Sequence, residues 1–240
     1  MFPFGPAPSR STGSVATTLR QVSAEDPPSA RGAAAGAAYA DRFAGEPAVI
    51  LEARERAARL SGPPPVQPAV GATLAVLAAQ TGARSVVSIG SGGGIAGLSL
   101  LRGMRPEGIL TALDGDPDQL RAARRTFTEA GIPASRARLI FGTPAEVLPR
   151  LSSGAYDLVV CAGPPHDYAD EVAGLLGLVR VGGSLICHGL LEGGRIADRS
   201  ARDPQTVAWR EMSRMIRDDE TLLSAVLPIG AGLLVATKRG

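Results

Sequence analysis

Residues 86–97 read VVSIGSGGGIAG, and this stretch decides the fold. Its apolar, β-branched first part predicts a buried strand, and the glycines that follow allow a sharp turn that brings the backbone close to a ligand. A helix is expected to begin at about Ile95, with free amide groups in its first turn. The stretch therefore predicts a strand, a loop and a helix that together bind a nucleotide cofactor.

Asp114 supports this interpretation because it follows the next apolar run, residues 109–113. A carboxylate at the end of such a strand can accept hydrogen bonds from both hydroxyl groups of a ribose. Residues 92–97 also match the GxGxxG spacing of dinucleotide-binding loops. These features alone leave open which nucleotide cofactor is bound.

The composition argues against several classes of protein. Of the 240 residues, 45% are hydrophobic, which is enough for the core of one domain. A formal net charge of +2 gives no reason to expect a nucleic-acid partner, and no apolar run approaches the roughly 20 residues of a membrane span. Cys161 and Cys187 form neither a disulfide framework nor a zinc-binding spacing, and the N-terminus lacks a secretory signal. We therefore expect a cytoplasmic protein.

The chain is expected to consist of a tail and one domain. Residues 1–32 are rich in Pro, Ser, Gly and Ala and show little periodicity, so they cannot bury enough surface to offset the entropy of ordering. We expect a disordered tail over residues 1–45 and a domain over residues 46–240. Helical spacing predicts one helix from Pro47 to just before Gly62 and another over about residues 68–80.

From Gly82 onward, apolar runs alternate with helical patterns across short connections. Strands are expected near residues 85–90, 109–114, 138–142, 156–161 and 184–188, and the last helix over about residues 204–217. Two final apolar runs, 222–227 and 233–238, flank a glycine-rich turn and predict a β-hairpin. The predicted fold is α/β, a doubly wound and mostly parallel sheet that ends in an antiparallel hairpin.

Several short motifs follow one another in a fixed order between residues 66 and 238. They are Val66-Gln67-Pro68-Ala69-Val70-Gly71, the glycine loop (residues 90–94), residues 110–114 with Asp116-Pro117, Ala130-Gly131, residues 142–148, Tyr156-Asp157-Leu158-Val159 and Gly182-Gly183. In this order they resemble the S-adenosylmethionine-dependent O-methyltransferases of the catechol and caffeoyl-coenzyme A type, especially the small actinobacterial branch. The resemblance implies a Rossmann-like class I methyltransferase fold with seven strands, and S-adenosylmethionine as the cofactor.

The resemblance also implies which residues contact the methionine end of the cofactor. Gly90, Ser91 and Gly92 would line it, Ala96 would lie on the helix beneath it, and Val66 would close one wall. These positions belong to the glycine loop, to the helix that follows it and to the segment before the second predicted helix. They predict a cavity above the carboxyl end of the first strand.

The adenosine end and the acceptor are implied by later motifs. Asp114 would hold the ribose, and Gly142 and Thr143 would lie beside the adenine. Ala162 would border the point where the cofactor meets its acceptor, a small hydroxylated molecule. Ligands of open α/β sheets gather at the carboxyl edge of the strands, which independently favours this location.

The sequence departs from the family pattern at the position that would contact the cofactor amine and at the positions that would bind the metal. Ser88 stands where the family usually has an acidic residue, so we expect the affinity for the cofactor to be lower by about tenfold to a hundredfold. Cation-dependent members carry three oxygen-bearing residues where this chain has Ala162, His188 and Gly189. Hard cations prefer oxygen ligands, so no catalytic metal is expected.

His188 is the candidate catalytic residue, because a neutral imidazole can accept a hydroxyl proton during methyl transfer. The alternative is a strand-end histidine that only makes a structural hydrogen bond. The segment Pro165-His166-Asp167-Tyr168 offers a second, weaker set of candidates near the acceptor.

Three functions remain open at this point. The first is an O-methyltransferase, and the second is a degenerate relative that binds the cofactor as a sensor or scaffold. The third is an NAD-dependent dehydrogenase, which the terminal hairpin and the lack of a second, substrate-binding domain disfavour. The resemblance also admits a homodimer, and no membrane partner is expected.

Overall fold

The computed structural model describes residues 30–240, so most of the expected tail, residues 1–29, lies outside the described residues. The helices in the described part are α1 (Ala30–Ala44), α2 (Ala48–Ala57), α3 (Pro68–Gln80), α4 (Ile95–Gly103), α5 (Pro117–Glu129), α6 (Pro144–Val147), α7 (Val172–Leu178) and α8 (Pro204–Asp218). The strands are β1 (Ser85–Ile89), β2 (Ile109–Asp114), β3 (Ala137–Phe141), β4 (Tyr156–Cys161), β5 (Val179–His188), β6 (Leu222–Leu227) and β7 (Leu233–Lys238).

Within residues 30–240 the strands form one seven-stranded sheet in the order β3-β2-β1-β4-β5-β7-β6. Strands β1 to β5 are parallel, and β7 pairs antiparallel with both β5 and β6. The predicted doubly wound α/β fold with its C-terminal hairpin is therefore confirmed. The chain order reverses between β1 and β4, and open α/β sheets bind ligands at the carboxyl edge beside such a point.

Both faces of the sheet are covered, which explains why the central strands are continuous apolar runs. Val86 points into a core that contains Leu74 of α3 and Leu110 of β2. Its neighbour Val87 points to the other face, into a core that contains Leu185 of β5 and Trp209 of α8. Helices α2 to α5 thus cover one face, and α6 to α8 cover the other.

Helix α1 lies within the residues that the sequence analysis assigns to a disordered tail. Asp41 Oδ1 accepts a hydrogen bond from the Ala69 amide at 3.0 Å, which ties α1 to the first turn of α3. Tyr39 and Phe43 stack on the outside of α1 with ring centroids 6.3 Å apart. The alanine-rich composition of this segment is also the composition with the highest helix propensity, and Ala30–Ala44 forms a helix here.

Strand β5 begins at Val179, five residues earlier than expected. Its register against β4 shifts between Tyr156 and Leu158, and Gly182 has a positive φ of 76°. In the sequence, the pair Gly182-Gly183 suggests that the strand begins after it, but in the structure the pair forms an irregularity within one strand. The early start does not change the carboxyl end of β5, where the predicted His188 lies.

Candidate cofactor and acceptor site

A cavity of about 470 Å³ lies at the carboxyl ends of β1, β2 and β4. Gly90 and Gly92 line it after β1, Asp114 lines it at the last position of β2, and residues 162–164 line it after β4. The proline-rich segment of residues 61–65, between α2 and α3, forms the opposite wall. The location agrees with the crevice that the strand order predicts.

The glycine loop brings two walls of the cavity into backbone contact. Gly90 has a positive φ of 79°, and a Cβ atom there would lie 2.5 Å from the Gly163 nitrogen. The Ala162 amide donates to the Ile89 carbonyl at 2.8 Å, which continues the β1–β4 contact beyond the strands. Only glycine at position 90 allows both the turn and this approach.

Asp114 is held in a fixed orientation at the cavity wall. Its Oδ2 accepts hydrogen bonds from the Ser91 amide at 2.6 Å and from the Ser91 hydroxyl at 2.8 Å. Its Oδ1 accepts one from the Asp116 amide at 2.9 Å. A carboxylate has about four lone-pair sites, so Oδ1 retains room for a donor from the cavity.

The cavity includes many, but not all, of the residues that the sequence predicts for cofactor binding. Those on its wall are Val66, Gly90, Gly92, Ala96, Asp114, Thr143 and Ala162. Ser91 is buried and acts through Asp114 rather than lining the cavity. Gly142 lies behind the wall, where a Cβ atom would be 3.0 Å from Val147 Cγ2. Ser88 is buried in β1, and its hydroxyl has no hydrogen-bond partner among the described residues.

Thr143 marks the start of α6 and is fixed by a capping box. Glu146 Oε2 accepts hydrogen bonds from the Thr143 amide at 2.9 Å and from its hydroxyl at 3.0 Å. These two bonds lower the pKa of the Glu146 carboxyl. The reciprocal bonding holds the backbone at Thr143 beside the cavity.

His188 is not on the cavity wall. It is buried at the end of β5, with Nε2 2.9 Å from Oε1 of Gln67, the residue before α3. Because that amide oxygen accepts, Nε2 carries a hydrogen. The turn between β6 and β7 covers this end of β5, since Gly189 donates to the Gly232 carbonyl at 2.8 Å. Burial lowers the pKa of His188 to about 4.

This low pKa predicts a loss of stability in mild acid. Above pH 6.5 the imidazole is neutral in both the folded and the unfolded chain. Between pH 6.5 and 4 only the unfolded chain takes up the proton, so the free energy of unfolding falls as the pH decreases. From pH 7.5 to pH 4.5 we expect His188 to contribute a loss of about 2–3 kcal/mol.

The measurement is denaturant unfolding at both pH values, followed by the fluorescence of the single tryptophan, Trp209. His188→Gln has no titrating side chain at this position, whereas all other acid-sensitive groups are common to both proteins. The variant should therefore lose less stability than the wild type between the two pH values. Parallel losses in the two proteins would contradict the low pKa.

The segment after β4 contains the second, weaker set of predicted acceptor residues. His166 and Asp167 both line the cavity, and His166 Nε2 lies 3.3 Å from Asp167 Oδ1. Burial raises the pKa of the Asp167 carboxyl, the His166 side chain lowers it, and Asp114 raises it further. Tyr168 points the other way, into the core, where its ring packs edge-on against Trp209 at 6.2 Å. Periodicity could not distinguish these orientations, because the segment is a single 3-10 turn.

The comparisons with known proteins agree with this architecture. The O-methyltransferase family matches residues 41–239. This chain belongs to the O-methyltransferase family. A probable O-methyltransferase of Mycobacterium tuberculosis is 45% identical over 201 residues, which cover 84% of this chain and 89% of the relative.

Solved structures show the same fold. A Corynebacterium glutamicum protein is 34% identical, with a TM-score of 0.77 over 84% of this chain and 94% of its own. An O-methyltransferase from Bacillus cereus, crystallised in complex with SAH, has a TM-score of 0.77 at 21% identity, over 85% of this chain and 97% of its own. This enzyme therefore has the Rossmann-like fold of methyltransferases, in agreement with the family that its sequence shows.

The metal-ligand positions of this O-methyltransferase carry few donors. Ala162 and Gly189 offer no side-chain ligand, and His188 Nε2 is engaged by Gln67. Across residues 30–240, no group of three or more His, Cys, Asp or Glu side chains could hold a metal ion. The side chains present do not fit a hard divalent cation, which prefers several oxygen ligands.

The cysteines of the enzyme are structural neighbours. Cys161 and Cys187 are paired in register across β4 and β5, and both are free and buried. Burial, together with the neighbouring Cys187, raises the pKa of the Cys161 thiol. The Cys161 thiol therefore stays protonated and unreactive near neutral pH. In the part of the enzyme that the structure describes, no helix is both long and apolar enough to cross a membrane.

Proposed function

We propose that this O-methyltransferase transfers the methyl group of S-adenosylmethionine to a hydroxyl group of a small acceptor, without a catalytic metal. The observation that carries the proposal is the Asp114 carboxylate, which Ser91 and Asp116 orient beside a cavity of about 470 Å³. The SAH bound by the structural neighbour from Bacillus cereus supports the choice of cofactor.

The residues around the cavity fit this cofactor. Asp114 would accept from the ribose, Thr143 would lie beside the adenine, and Gly90 and Gly92 would face the methionine part across from Val66. When bound, S-adenosylmethionine supplies a methyl group that its sulfonium sulfur already activates. The walls then need to orient the acceptor oxygen and exclude water.

Ser88 and Gly142 remain proposed contributors from behind the wall. The buried Ser88 hydroxyl has no partner in the described structure, so a cofactor amine that reached it would satisfy it. A hydroxyl supplies no negative charge, which supports the expected lower affinity. Gly142, with φ of 151°, allows the turn that presents Thr143.

The proposal of metal-independent transfer rests on the donor set at Ala162, His188 and Gly189. Activity should be unchanged in excess chelator, and adding Mg²⁺ should not raise it. A transfer activity that a chelator abolishes and Mg²⁺ restores would contradict this part of the proposal. The base role that the sequence predicts for His188 would require the Gln67 contact to open.

The cofactor is tested by titration calorimetry with S-adenosylmethionine, S-adenosylhomocysteine and NAD. We expect heat with the first two compounds only, and heat with NAD alone would favour the dehydrogenase. Transfer is then tested with a radiolabelled methyl donor and a panel of catechols, phenols and hydroxylated metabolites. Binding without transfer to any member at any pH would favour the sensor or scaffold function.

The remaining expectations about partners also stand as proposals. The small net charge supports a protein that binds no nucleic acid. A cytoplasmic location and a homodimer follow from the sequence resemblance and the cysteine usage alone. Size-exclusion chromatography with light scattering measures the oligomeric state directly.

A further inference from the structure

The sequence contains two histidines, and only His166 lines the cavity. We propose that His166, oriented by Asp167, is the base that accepts the hydroxyl proton of the acceptor. The inference rests on the proposed methyl transfer and deepens it, because it assigns the proton to a residue of this chain. The position that the sequence favoured for this role, His188, lies outside the cavity wall.

The backbone fixes His166 on the cavity side. The Ala162 and Gly163 amides both donate to the Ile89 carbonyl, at 2.8 and 3.3 Å, so the segment leaves β4 in contact with the glycine loop. The 3-10 helix Pro165–Asp167 follows at once. Tyr168 then anchors the segment in the core, because its side chain is only 1% exposed. His166 and Asp167 are left on the side of the turn that faces the cavity.

The pair has the arrangement that a histidine base needs. His166 Nε2 lies 3.3 Å from Asp167 Oδ1, and the two side chains are 67% and 47% exposed. The nearby carboxylate favours a proton on Nε2, which leaves the lone pair of Nδ1 for the acceptor. An exposed imidazole also exchanges its proton with water after each turnover. His188 differs on both counts, since it is buried and engages Gln67 through Nε2.

The proposed step balances without a further reactant. The acceptor oxygen forms the new bond to the methyl carbon, and the carbon–sulfur bond breaks with its electron pair remaining on sulfur. The hydroxyl proton passes to His166 Nδ1, and the imidazolium then releases it to solvent. The products are the methyl ether, S-adenosylhomocysteine and one proton.

The other charged side chains that line the cavity are acidic. On the cavity wall they are Asp114, Asp116 and Asp167. The next turn, Ala169–Glu171, adds Asp170 and Glu171. Helix α8 packs against the segment, with Trp209 against Tyr168, and it carries Arg210, Glu211, Arg214 and Arg217. The carboxylates on the cavity wall stabilise the imidazolium that forms as the proton arrives.

The first test is NMR spectroscopy of the two histidine rings, which needs no substrate. We expect the signals of one ring to disappear in His166→Ala, which assigns them to that residue. Asp167→Asn should change the chemical shifts of the ring nitrogens of His166, because it removes the carboxylate 3.3 Å from Nε2. Asp170→Asn removes an exposed carboxylate that does not line the cavity, so it should change these chemical shifts less. Equal changes in the two variants, or none in Asp167→Asn, would overturn the pairing.

The second test separates chemistry from binding. His166→Ala should lower kcat by about 100-fold or more, while its affinity for S-adenosylhomocysteine stays within about threefold of wild type. Added imidazole should restore part of kcat, since the exposed site leaves room for it. A rise of kcat with increasing pH should persist in His188→Gln and vanish in His166→Ala.

The outcomes distinguish the two levels of the proposal. If wild-type protein transfers methyl groups and His166→Ala retains its kcat and pH profile, the base assignment is wrong and the proposed function stands. The assignment is also wrong if the variant loses kcat and imidazole restores none of it. If wild-type protein binds S-adenosylhomocysteine but methylates no acceptor, the proposed function fails, and the base assignment fails with it.

Discussion

Replacing Asp114 with alanine is expected to weaken S-adenosylmethionine binding by about 100-fold. One hydrogen bond from a ribose hydroxyl to a carboxylate contributes about 1.5–3 kcal/mol. The substitution also removes the acceptor that both the amide and the hydroxyl of Ser91 use, so the glycine loop loses its anchor. Both effects act on the cofactor affinity, which titration calorimetry measures.

Asp116→Asn is the matched control for this prediction. Asp116 lines the same cavity, but its side chain accepts from the Asp118 amide and caps α5. Asparagine is an equally good capping residue, so the variant removes one negative charge from the cavity and keeps the helix start. Its affinity should stay within about threefold of wild type, which is less than the loss of one hydrogen bond to a charged group. Equal losses in the two variants would indicate a general charge effect and contradict a specific role for Asp114.

The central sheet was predictable because each of its strands is marked by a continuous pattern of neighbouring residues in the sequence. β2 is a continuous apolar run that ends at Asp114, and the next residues, Gly115-Asp116-Pro117, supply a turn, a helix cap and a helix start. The turn of the glycine loop could also be predicted from neighbouring residues, because glycine is the residue that adopts a positive φ without steric cost, as Gly90 does. The carboxyl edge of the sheet could therefore be placed before any contact was known.

The contacts made by individual side chains at that edge were less predictable. His188 and Gln67 are 121 positions apart in sequence, and their hydrogen bond depends on how the hairpin turn covers β5. Ser91 looked like a residue that touches the cofactor, but its hydroxyl is directed at Asp114, 23 positions away. Periodicity reports which face of an element is apolar, and it contains no information about such pairs between elements.

The same reasoning explains why His166 lines the cavity and His188 does not, contrary to the prediction from the sequence. The sequence favoured His188 because it stands where cation-dependent members carry a metal ligand and because a neutral imidazole can accept a proton. Whether such a side chain reaches the cavity depends on what covers the strand end, and here the Gly232 carbonyl and Gln67 do so. His166 lies on a short turn without periodicity, and its orientation is set by the buried Tyr168 two residues later.

Gly90→Ala is the second substitution for which we expect a large effect, on both stability and binding. An L-residue in the left-handed region costs about 1–2 kcal/mol, and the φ of Gly90 is 79°. The new Cβ atom would also lie 2.5 Å from the nitrogen and 2.7 Å from the Cα of Gly163, both of which belong to backbone and cannot rotate away. Overpacking of this kind costs about 1–3 kcal/mol.

We therefore expect the free energy of unfolding to fall by about 2–5 kcal/mol, a large part of the about 5–15 kcal/mol that stabilises a typical domain. Relief of the clash must separate the glycine loop from residues 162–163, so the cofactor affinity should fall as well. Denaturant unfolding followed by Trp209 fluorescence measures the first effect, and calorimetry measures the second.

Gly177→Ala provides the control, because a Cβ atom at Gly177 of α7 meets no atom within 4 Å and its φ is not positive. Alanine in a helix is favoured over glycine by up to about 1 kcal/mol, so this variant should be as stable as wild type or slightly more stable. If Gly90→Ala matched the stability and the cofactor affinity of Gly177→Ala, the two walls would not be in contact at Gly163. The cavity would then owe its shape to the proline segment of residues 61–65 rather than to the approach of the glycine loop to the end of β4.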